Sequence, residues 1–184
     1  YLNLTDNPYI KYQTEFNYNK SRSGWYTDLS IAKFADLDFS SGKLKITDET
    51  KFKNSFIAYL KIVNNPSELN LMRSFTANAK QQLPNSVFNN LNEVAVQPYL
   101  LFKAWYNVVH KTDPDLLGFT FSYETGVLGI SNETKFKQKI SDYIKNIKTF
   151  SEISIFKEFL NSSNNSNYEV LLESISEILG HAYF

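Results

Sequence analysis

Gly42-Lys-Leu-Lys-Ile-Thr-Asp-Glu-Thr-Lys-Phe-Lys53 returns as Gly126-Val-Leu-Gly-Ile-Ser-Asn-Glu-Thr-Lys-Phe-Lys137, one segment written twice at an offset of 84 residues. It lies within the stretch Phe39 to Val63, around which the rest of the chain is organised. Carried forward without a gap, the offset pairs Tyr59 with Tyr143, Lys61 with Lys145, Ser67-Glu68 with Ser151-Glu152, Phe75 with Phe159 and Glu93 with Glu177. From 42 to 93 that makes 14 identical pairs in 52. The substitutions between them exchange apolar for apolar, as in Phe56/Ile140, Leu60/Ile144, Met72/Phe156 and Leu91/Ile175. The reading is a tandem duplication. Two copies fall short of the roughly three repeats that an open solenoid needs to bury a continuous core, so a closed pseudo-two-fold pair is expected.

Each copy has the same internal grammar. Ala35, Leu37 and Phe39, and again Phe119, Phe121 and Tyr123, alternate with smaller or polar residues, the period-2 mark of a half-buried strand. Gly42 and Gly126 supply turn chemistry, and Leu44-Ile46 or Leu128-Ile130 resume the alternation, which predicts a hairpin. Asp48 or Asn132 can then accept from orphan backbone N–H groups as an N-cap, with Glu49 or Glu133 favoured by the helix dipole in the first turn. Phe52, Phe56, Tyr59, Leu60 and Val63 fall at helical spacing, as do Phe136, Ile140, Tyr143, Ile144 and Ile147. Ser67-Glu68 and Ser151-Glu152 restart the pattern as a second helix. A third is expected from Val87 through Leu91 to Val94, and from Leu171 through Ile175 to Ile178.

The fold class that follows is α+β: a duplicated unit of one β-hairpin and three helices, the hairpins merging into one antiparallel sheet with helices packed on it. The expected boundaries are an N-terminal hairpin addition over 1–34, repeat unit one over 35–97, a connecting helix and turn over 98–116, and repeat unit two over 117–184, all within one compact domain. Tyr99-Leu-Leu-Phe-Lys-Ala-Trp-Tyr-Asn-Val-Val109 is dense in large apolar groups. It is shorter than the ~20 apolar residues of a membrane span, so it reads as a buried connecting helix. Pro98 should stop the helix before it, and Lys111 to Asp115 form the turn after it. Asn161 to Asn167 is the one low-complexity patch, a solvated connection between helices.

Composition limits the function more than it reveals it. With 19 basic and 19 acidic residues the chain is formally neutral, so no long-range field draws in nucleic acid or an anionic membrane. The absence of cysteine excludes a disulfide framework and a cysteine zinc site and leaves the compartment open. The chain opens at Tyr1 and shows no signal-type apolar core, which reads as processing or excision from a longer protein. Abundant Asn, Lys, Ile, Phe and Tyr with few Gly, Pro and Arg point to an AT-rich genome, bacterial or viral.

The chemical signals are sparse. His110-Lys-Thr112 has the His-x-Thr form that two-histidine phosphodiesterases use, but His181-Ala-Tyr183 lacks the hydroxyl of the second motif. A lone His ending an apolar helix is better explained as a partner of the helix C-terminus. Asp113, Asp115 and Glu124 offer carboxylates to a divalent cation, yet no lysine follows Glu124 in the required place, and Asp-Pro-Asp is ordinary turn chemistry. The repeated Glu-Thr-Lys-Phe-Lys suits a helix start flanking a buried Phe, although its lysines can also reach phosphates. No phosphate-cradling loop or nucleophile elbow is present.

Aromatics give the better clue. The strand pattern from Tyr12 to Tyr18, the loop around Arg22 and the Trp25-Tyr26 pair place Tyr12, Tyr18, Arg22, Trp25 and Tyr26 on one hairpin, and Tyr, Trp and Arg anchor protein interfaces. The expected function is therefore a non-enzymatic protein-binding module, such as an inhibitor, immunity, effector or surface recognition domain, acting through this patch and the groove between the repeats. A nucleic-acid-associated protein that straddles a duplex by its pseudo-dyad is the alternative, with a metal-dependent hydrolase behind it. The sequence calls for a protein partner, no cofactor and no membrane span.

Overall fold

Six α-helices account for most of the described residues: α1 (Glu49–Ile62), α2 (Pro66–Gln82), α3 (Ser86–Ala95), α4 (Pro98–His110), α5 (Glu133–Asn146) and α6 (Phe150–Ser162). The computed structural model describes residues 37–38, 45–46, 48–82 and 86–162. The chain divides into two compact units between Val96 and Gln97. Each unit holds one short antiparallel strand pair, ahead of the helices in the first unit and after α4 in the second. β1 (Leu37–Asp38) runs against β2 (Lys45–Ile46), with Leu37 opposite Ile46. β3 (Phe119–Phe121) runs against β4 (Leu128–Ile130), with Phe119 opposite Ile130.

The architecture is thus mostly helical, which corrects the balance expected from the sequence. Among the described residues the strands form two separate two-stranded ladders, not one merged sheet. The apolar stripes are buried in both units, and helix-on-helix packing carries the core. The expected N-terminal hairpin and the third helix of the second repeat lie outside the described residues.

Local sequence explains where the helices begin. Asp48 and Asn132 stand in extended backbone and each accepts from the N–H three residues on, at 3.1 Å from Lys51 and 3.0 Å from Lys135, satisfying one orphan donor. Asn65 and Thr149 do the same for the next helix, accepting from the N–H of Glu68 at 2.8 Å and of Glu152 at 3.3 Å. α3 ends at Ala95, ahead of Pro98 as expected, and Pro98 opens α4 at a position where its missing N–H costs nothing. The turn after α4 is one turn of 3-10 helix, Pro114–Leu117, with Asp113 as its cap. Gly118 closes it at φ +102°, a conformation that strains any side chain, and a Cβ there would meet the Phe136 ring at 3.4 Å.

In the first unit, Phe52, Phe56, Phe75 and Phe88 from α1, α2 and α3 form a buried aromatic cluster; the Phe52 and Phe88 rings meet at 5.5 Å, edge to face. Thr76 donates to Asn92 Oδ1 at 2.9 Å inside it, and Arg73 Nε donates to the Ala95 carbonyl at 2.6 Å, capping the end of α3. In the second unit α4 supplies the third wall. Phe102 stacks on Phe159 of α6 with ring centroids 4.7 Å apart, and Phe119 of β3 meets Phe136 of α5 at 4.9 Å.

Candidate functional site

Helix α4 is apolar on nearly every side, and its surroundings use only part of it. Tyr99, Leu100, Phe102, Lys103, Ala104 and Tyr106 are buried. Trp105 and Val108 are each 38% exposed and Val109 51%, with Leu101 half-buried beside them. At 100° per residue, positions 101, 105, 108 and 109 share one arc of the helix. The sequence expectation of a buried connecting helix therefore holds for one face and fails for the other. An amphipathic surface helix would carry charge there. This one carries a tryptophan and three aliphatic side chains.

Beneath the apolar inner face runs a polar network. The Lys103 ammonium, 4% exposed as a residue, donates to the Tyr123 hydroxyl at 2.6 Å and lies 3.2 Å from Asp113 Oδ2. Burial works against this charge, but the bond to Tyr123 and the nearby Asp113 and Asp115 carboxylates outweigh it and hold the amine pKa above its ordinary value. Tyr99 donates to Asp115, and burial together with that bond pushes its pKa upward. Asp113 and Asp115 are thereby engaged by α4, whereas Glu124 is exposed in the β3–β4 turn.

At the C-terminal end of α4, His110 Nε2 lies 2.5 Å from Glu152 Oε1, and the Tyr143 hydroxyl donates to the same oxygen at 2.7 Å. The Tyr106 ring lies tilted against the His110 ring, with centroids 4.4 Å apart. Burial, followed by the bond to Glu152, raises the Tyr143 pKa, so this phenol is a hydrogen-bond donor and not a base. His110 is thus tied into the packing at a helix terminus, with no hydroxyl nucleophile hydrogen-bonded to it among the described residues. No group of three His, Asp or Glu side chains placed to hold a metal ion occurs among the described residues, the Asp113, Asp115 and Glu124 set included.

Tyr12, Tyr18, Arg22, Trp25 and Tyr26, the binding residues expected from the sequence, lie outside the described residues, as does His181. The outer face of α4 was missed: Lys103, Asn107 and His110 share the opposite arc of the helix, so its pattern alone turns the apolar arc of Leu101, Trp105 and Val108 inward. A second surface feature is an open groove of about 550 Å³ along the β3–β4 hairpin, with Phe121, Val127 and Leu128 supplying apolar walls and Ser122 and Thr125 hydroxyls. No described helix is long and apolar enough to cross a membrane. No protein-family model, curated protein or solved structure matches the chain.

Proposed function

We propose that the protein is a non-enzymatic protein-binding module. The observation that carries this reading is the outer face of α4, where Trp105, Val108 and Val109 stand open on consecutive turns of a helix firmly held on its other side. Exposed apolar area of that kind suits a partner's surface, and Trp is among the residues that contribute most where interfaces become desolvated. Tyr12, Tyr18, Arg22, Trp25 and Tyr26 form a second contact patch in the same proposal, on sequence grounds. In the test, a photo-crosslinking residue replaces Val109 in the full chain within its native cells. One discrete protein adduct is expected, lost in Trp105→Asp and weakened in Trp25→Ala, with the circular dichroism spectrum of each variant unchanged. An adduct that survives Trp105→Asp, or none at all, overturns the reading. Retention on heparin that modest salt abolishes would favour the nucleic-acid alternative.

We also propose that the two units descend from one duplicated segment of hairpin and helices. Supporting this, α1 and α5 have the same bounds at the 84-residue offset, Glu49–Ile62 against Glu133–Asn146. Apolar partners at that offset are buried in both units, from Phe52 and Phe136 through Leu60 and Ile144 to Phe75 and Phe159. A chimera carrying residues 132–147 in place of 48–63 is expected to fold cooperatively; failure to fold counts against common descent.

A further inference from the structure

We draw no further inference here: the strongest candidate, the His110, Tyr143 and Glu152 cluster at the C-terminal end of α4, belongs to the site already described, and the described residues add no third metal-ligating side chain to it.

Discussion

Glu68 in the first unit and Glu152 in the second sit in the first turn of a helix, each with its N–H held by the capping residue three positions earlier, Asn65 or Thr149. Their carboxylates meet different worlds. Glu152 Oε1 receives the Tyr143 hydroxyl and faces His110. Glu68, 1% exposed, receives only the Asn65 amide on Oε2, at 3.2 Å, while its Oε1 has no hydrogen-bond partner among the described residues. Burial pushes the Glu68 pKa up to about 7. Two positions that match in residue, helix and cap therefore diverge in their partners. Tyr143 stands at the position matching Tyr59, inside the matching stretch, whereas His110 comes from outside it, delivered by α4, a helix that precedes the second hairpin.

The largest expected effect tests the claim that each unit has its own third wall. Phe102→Ala should destabilise the second unit, and Phe88→Ala the first, each by about 3–5 kcal/mol, because a buried ring leaves both lost transfer energy and a cavity. Chemical denaturation followed by amide exchange would place each loss. A Phe102→Ala variant that loosens only α1 to α3 would break the comparison.

The second prediction is a pH profile. The unfolded chain releases the Glu68 proton near its ordinary value of 4.5, and the fold keeps it until about 7. The native state thus binds more protons between those values, so stability is full below pH 4.5 and falls as pH rises through 7. Linkage limits the loss to about 3–4 kcal/mol. Urea midpoints should show this decline in the wild type and a flatter curve in Glu68→Gln, which becomes the more stable protein at pH 8. Parallel curves would mean that Glu68 is ionised at little cost.

Glu152→Gln should move the other way. At pH 8 it is expected to cost about 1–2 kcal/mol, since the acceptor of Tyr143 loses its charge. Opposite signs for one replacement at two matched positions would sharpen the contrast, and equal signs would erase it. The smallest effect concerns what the units share. Asp48→Ala and Asn132→Ala should each cost about 1 kcal/mol, with near-equal thermal shifts, because both remove the same N-cap bond.

These contrasts also show what a reader of the sequence can reach. Asp48, Asn132 and the stripes of α1 and α5 were legible because caps and helical periodicity are settled within a few residues. The strand pairs were found where expected, but among the described residues they do not join into one sheet, since sheet width depends on partners distant in sequence. Glu152 carried no chemical signal of its own; its partners come from α4 and α5, and only folding assembles them. The apolar density of Tyr99 to Val109 was visible, yet which arc the second unit would leave open depends on where Phe156 and Phe159 stack. His110 was legible as a helix-end residue, and its acidic partner was not.

Lys103 carries a last consequence. Its amine is enclosed by Tyr123 and Asp113 under the inner face of α4. Acylating reagents need a lone pair that can reach them, so a lysine reactivity map of the native protein should have a silent point at this position among otherwise modifiable neighbours. The same enclosure shields the peptide bond after Lys103 from trypsin until α4 unravels, which makes cleavage at that bond a direct reporter of opening in the second unit.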